Sequence, residues 1–72
     1  MRVITQKIFD EIYKLHQLWL ISAGDDGRRA NLESVDFNNL KIPKDANFSE
    51  VNFSKADLSG MNLQEVEFKG AN

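Results

Sequence analysis

The sequence predicts an all-β solenoid with an N-terminal α-helix, and three observations carry that expectation. In ANFSEVNFSKADLSGMNLQEVEFKGAN, residues 46–72, Phe48, Phe53, Leu58, Leu63 and Phe68 recur every five residues. At about 100° per residue a helix would scatter them around its axis, so one apolar interior requires an extended chain with regular corners. Between them, polar or turn-forming pairs recur at the same places, where corners would fall. From Ile4 to Ile21, by contrast, apolar residues step by three and four, the period of an amphipathic helix. The chain has 72 residues, enough for one domain that buries only about 60% of its unfolded surface. It has no cysteine, so packing has to hold it together without disulfides or thiolate metal sites.

The expected helix places Ile4, Ile8, Ile12, Leu15 and Trp19 on its buried stripe, with Thr5 as N-cap. Phe9, Tyr13, Leu18, Leu20 and Ile21 widen the apolar surface toward the C-terminal half, which therefore expects cover. Ala23-Gly24-Asp25-Asp26-Gly27 ends the helix, since glycine accepts the left-handed cap conformation and aspartate favours turns. The polar side carries both signs of charge, which suits docking on the helix's own domain better than lying on a membrane. His16 has no cysteine or second histidine to complete a zinc site and reads as a packing or capping residue. Trp19 reads as a core anchor. Arg2, Lys7, Asp10 and Glu11 interrupt the apolar run that a signal peptide or membrane span would need, and a cytoplasmic protein is expected.

From Ala30 the chain divides into ANLES, VDFNN and LKIPK, then Asp45 as an extra residue, then ANFSE, VNFSK, ADLSG, MNLQE, VEFKG and AN. The first and third positions are apolar. Two residues apart on an extended segment point the same way, and the following step of three demands a corner. Corners are expected at Glu33-Ser34, Asn38-Asn39, Ser49-Glu50, Ser54-Lys55, Ser59-Gly60, Gln64-Glu65 and Lys69-Gly70. Stacked coils would pair as parallel strands about 4.8 Å apart, each depending on its neighbours. The extra residue predicts a bulged corner near Pro43, re-aiming Lys44 and Asp45 toward a partner or merely tolerated.

Tandem A-(N/D)-(L/F)-x-x units in register from Ala30 to Asn72 resemble the pentapeptide-repeat family. The stretch before them, with His16, Trp19, Leu20, Gly27, Arg29, Ala30, Asn31 and Leu32, is similar to a leader seen in that family. The resemblance implies a right-handed quadrilateral β-helix of about two coils, capped by the helix. Residues 1–29 are then the capping helix and its Gly/Asp-rich turn, and residues 30–72 the repeat solenoid, as a single domain. Stepping four units, with Asp45 counted, brings Asn31 over Asn52, Asp36 over Asp57 and Asn47 near Glu67. Asp36 and Asp57 would repel unless something neutralises them; alternatively, Asp at this position simply bonds the turn backbone.

The charge is uneven. Five basic and four acidic residues precede Ala30, whereas from Asp45 onward Asp45, Glu50, Asp57, Glu65 and Glu67 face only Lys55 and Lys69. An acidic solenoid disfavours nucleic acid and suits a protein that binds it, although the same residues would serve as solvated surface. No nucleophile–base pair, phosphate loop or metal-ligand spacing is present, so no enzyme, no cofactor and no metal site are expected. The resemblance implies a binding protein: a DNA mimic acting through Asp36, Glu50, Asp57, Glu65 and Glu67. Small members of the family occur among phage and mobile-element inhibitors of CRISPR systems, which makes a Cas effector the first expected partner. A gyrase or other topoisomerase is the second, and a structural or adaptor module the third reading. No direct nucleic-acid binding is expected. Met61, Leu63, Val66 and Phe68, on a coil without a polar cap, are expected to mediate homodimerisation.

Overall fold

The computed structural model describes residues 1–72 and contains one α-helix, α1 (Gln6–Ile21), and no β-strand. The expected all-β solenoid, a right-handed quadrilateral β-helix, is therefore wrong. Inter-winding pairing is reduced to three isolated parallel bridges, Asn31–Asn52, Asp36–Asp57 and Asn47–Glu67, and a fourth, Arg2–Val35, joins the N-terminal segment to the first winding. The reason lies in the five-residue unit itself. Two residues of each unit are consumed by a turn, which leaves only the central one to exchange bonds with the neighbouring winding before the chain turns again. A strand ladder needs a longer flat run. The expected register holds nonetheless: Asn31 pairs with Asn52, Asp36 with Asp57 and Asn47 with Glu67.

All seven expected corners are two-residue turns, and Lys44-Asp45 makes an eighth. Most are closed by a backbone bond across the turn, such as Val51 N–H to Phe48 C=O at 3.1 Å and Ala56 N–H to Phe53 C=O at 2.9 Å. The second turn residue has positive φ at Ser34, Asp45, Glu50, Lys55, Gly60, Glu65 and Gly70, as a type II turn requires. The second position of each unit, just before the apolar third, explains the Asn/Asp preference. Asn31, Asp36, Asn47, Asn52, Asp57 and Asn62 each accept, through Oδ1, the N–H two residues on. These Asx turns hold the chain at the point where it leaves the flat segment.

The interior is formed by Leu32, Val35, Phe37, Ala46, Phe48, Val51 and Phe53, all buried, with Phe68 packed beside them. Phe48 is at the centre, its ring 5.2 Å from Phe53, 6.1 Å from Phe68 and 5.6 Å from Tyr13. Phe9 of α1, 0% exposed, meets Phe37 and Phe48 edge-on at 5.9 and 6.2 Å.

Helix α1 covers the first winding, but on a different sector from the one expected. Its buried residues are Phe9 and His16, flanked by Ile12 and Tyr13, whereas Ile8 and Leu15 are 48% and 43% exposed. The steps Phe9–Tyr13–His16 obey the same period as the expected stripe, about a quarter turn around the helix. Aromatic volume and polar reach decided between them. Gln6 clamps Lys41, its amide donating to the Lys41 C=O and its carbonyl accepting the Lys41 N–H, both at 2.8 Å. Tyr13 Oη accepts the Asn47 N–H at 3.2 Å and Gln17 donates to the Asn47 C=O at 2.9 Å. Arg2 completes this edge through its backbone, donating to Ser34 C=O and accepting from Asp36 N–H. The helix thus caps by hydrogen-bonding the open backbone of the first winding as well as by covering its apolar interior.

Thr5 caps α1 as expected, its hydroxyl accepting the Ile8 N–H at 3.1 Å. At the other end Gly27 lies so close to the helix that a Cβ there would collide with the Leu15 C=O and the Trp19 backbone nitrogen. Arg28 N–H then donates to Leu15 C=O, tying the connection back onto the helix.

Candidate interaction surface

His16 joins the helix to both windings. Ala30 N–H donates to its Nδ1 at 3.0 Å, so the ring proton is on Nε2, which donates to Ser49 C=O at 2.8 Å. Burial holds its pKa below the ordinary histidine value, reinforced by Arg29 and opposed by the Ser49 bond and Glu50. A buried, neutral, doubly bonded imidazole is a capping residue, as the sequence indicates. Trp19 is half-buried and stacks on the His16 ring at 5.7 Å, outside the buried core.

The expected acidic residues do not gather on one face. Bridges at 31/52, 36/57 and 47/67, followed by Asn72 N–H returning to Val51 C=O, divide each winding into four sides. Asp36 and Asp57 share one side, and Glu67 lies on the opposite one. Glu50 and Glu65 are at turns flanking that opposite side, all three exposed.

The Asp36–Asp57 pair is built around a single amide. Asn38 Nδ2 donates to Asp36 Oδ1 at 2.8 Å and to Asp57 Oδ2 at 3.0 Å, so one NH₂ group bridges the two carboxylates. Ser59 donates to Asp57 Oδ1 through its hydroxyl at 2.5 Å and through its backbone N–H at 3.0 Å. These bonds, the Ser59 hydroxyl foremost and then its N–H and the Asn38 amide, hold the Asp57 carboxyl below its ordinary value. The expected repulsion is thus answered within the chain, and both carboxylates remain partly exposed at the surface. Asx bonding to the turn and presentation of charge coexist in the same residues.

Of the expected self-association residues, Met61, Val66 and Phe68 are partly buried against the core and Leu63 is 37% exposed. The capping residues Gln6, Tyr13, Gln17 and Arg29 escaped sequence reading as a group. Arg29 Nε donates to Glu50 C=O at 2.6 Å. The signal that could have found the helical members is their spacing: 6, 13 and 17 fall on one helix sector, beside the Phe9–His16 row.

A chain that spends its interior on packing and its polar letters on turns presents surfaces built from repeats. Residues 44–72 match the family model described as Pentapeptide repeats (8 copies), which supports the pentapeptide-repeat family and a protein-interaction module. The match begins at Lys44, so the winding observed from Ala30 to Pro43 lies outside it. No curated protein and no solved structure matches the chain. No helix is long and apolar enough to cross a membrane.

Proposed function

We propose that this protein is a non-enzymatic inhibitor that uses carboxylates to occupy a basic nucleic-acid-binding surface, in the manner of a DNA mimic, on a bacterial defence complex of the CRISPR effector type. The observation that supports this reading is the Asp36–Asp57 pair. Asn38 and Ser59 hold the two charges side by side, bridged by one amide, while leaving them available to a partner. Such preorganised charge steers association with a basic cleft and costs little ordering on binding. Glu50, Glu65 and Glu67 form a separate acidic side, so mimicry through all five residues at once would require a partner that wraps the domain.

The test is capture of a purified CRISPR effector by the immobilised protein at two salt concentrations. Binding that weakens at least tenfold at high salt, and that is lost in Asp36→Asn/Asp57→Asn, supports the reading. Asparagine keeps the Asx turns, as it does at positions 31, 47 and 52, but gives up the Asn38 bond to Asp57 Oδ2, so circular dichroism of the variant is compared with that of the parent. Undiminished, salt-insensitive binding by that variant rejects mimicry and favours the adaptor reading. Self-association through Met61, Leu63, Val66 and Phe68 is part of the same proposal, supported by the exposure of Leu63 on the second winding. Sedimentation velocity tests it: the parent chain should sediment as a dimer and Leu63→Glu as a monomer, and identical profiles reject it.

A further inference from the structure

The two windings are stitched together on three sides and open on the fourth. On each bridged side at least two bonds cross. Leu32 N–H reaches Asn52 C=O and Asn52 N–H reaches Ala30 C=O; Phe37, Asp57 and Val35 repeat this, as do Phe48, Glu67 and Ala46, at 2.9 to 3.3 Å throughout. The corresponding groups on the remaining side are Ile42 N–H, Leu40 C=O and both backbone groups of Asn62, and no bond joins them. The gap is where the register changes. Asp36 pairs with Asp57, but Asn47 pairs with Glu67, so the first winding carries one more residue than the second across this side. A one-residue mismatch cannot be laddered, and the segments separate.

A cavity of about 450 Å³ opens at that place, with Leu40, Ile42, Met61 and Val66 on its apolar walls and Lys41, Lys44 and Asp45 as its charged lining. This size falls within the range of ligand sites, about 300–1,000 Å³. Lys41 has its own N–H and C=O turned to Gln6 on the helix side. By the alternation of an extended segment, Leu40 C=O and Ile42 N–H then face away from the helix, toward the second winding.

We propose that this gap binds a short extended peptide segment of a partner protein, carrying an apolar residue flanked by Asp or Glu. The unused donors and acceptors of Leu40, Ile42 and Asn62 match an extended main chain, as in strand addition to an open edge. The apolar walls take the central side chain, and Lys41 and Lys44, two cations against the one carboxylate of Asp45, select an acidic flank. The site adjoins the Asp36–Asp57 pair through Asn38, which bridges the two carboxylates and also lines the cavity, but it does not depend on that pair binding anything.

The test uses short acetylated, amidated peptides with Val, Leu or Phe at a central position, Asp or Glu at one flank and the other positions randomised. They are titrated into the ¹⁵N-labelled full chain. The expected result is selection of peptides that shift the Ile42 and Asn62 amide signals. N-methylating the central residue, or replacing Lys41 and Lys44 by Glu, should weaken binding at least tenfold. Deleting Asp45 restores equal windings and should abolish binding. Failure of every peptide to move the Ile42 and Asn62 signals overturns the proposal. So does equal affinity for the N-methylated peptide or for the lysine double variant, which keeps the proposal testable if the deletion variant does not fold.

Discussion

His16 shows what one residue does in so small a core. It satisfies a buried N–H and a C=O from two different parts of the repeat chain. His16→Ala leaves both without a partner and opens a cavity beneath Trp19, and a loss of about 2–4 kcal/mol is expected from urea denaturation. The pH dependence follows from the direction of its shift. A histidine whose folded pKa lies below 6.5 binds fewer protons folded than unfolded, so its contribution is present above pH 6.5 and is lost as the pH falls below that value. Protonation of Nδ1 also removes the acceptor for Ala30. Urea midpoints measured between pH 7.5 and 5 should therefore decline, and the decline should vanish in His16→Gln. Asp57 acts at lower pH: its depressed carboxyl pKa gives stability above about pH 3.8 that is lost on further acidification. Asp57→Asn should flatten the acid limb alone.

At the scale of elements, the helix and the turns impose opposite backbone demands. Gly27 must lie against the last turns of α1, and Gly27→Ala would drive a Cβ into Leu15 C=O and the Trp19 nitrogen, both backbone atoms. Detachment of the connection is expected, with a loss of about 1–3 kcal/mol in urea denaturation and early hydrogen exchange at Arg28. The repeat turns behave in the reverse sense. Lys55 has φ of 60° without being glycine. Lys55→Gly relieves a left-handed cost of about 1–2 kcal/mol against an entropic penalty of about 0.5–1 kcal/mol, so a gain of up to about 1.5 kcal/mol is expected in thermal denaturation. The sequence makes these corners legible because a two-residue polar pair follows nearly every apolar third position. It leaves the positive φ at serine, lysine and glutamate hidden, because their identities do not demand it.

At the scale of the whole molecule, cohesion runs through one aromatic column from Phe9 to Phe48 and on to Phe53 and Phe68. A protein of this length has about 4–11 kcal/mol of stability, and removing a buried Phe costs about 3–5 kcal/mol. Phe48→Ala, which strips contacts from the helix and both windings together, should leave the chain largely unfolded at 37 °C by circular dichroism. Phe68→Ala, at the partly buried side of the column, should cost less.

The five-residue period by itself determined the corners and the residues of the repeat interior, because those follow from local alternation and turn chemistry, whereas the register between windings came from the four-unit step that the family resemblance implies. The period did not determine whether the flat segments would become strands, since that depends on how many residues remain to pair once each turn has taken two. The N-terminal period likewise determined a helix, while its buried face was settled only when Phe9 met the aromatic column and Gln6, Tyr13, His16 and Gln17 met open backbone. The acidic letters were visible in the sequence, but their division between opposite sides was set by winding. The gap between Leu40–Ile42 and Asn62 was foreshadowed by one extra residue, Asp45. Only the tertiary structure shows that the mismatch it introduces leaves an open side, because unpaired backbone is a relation between two windings and belongs to neither alone.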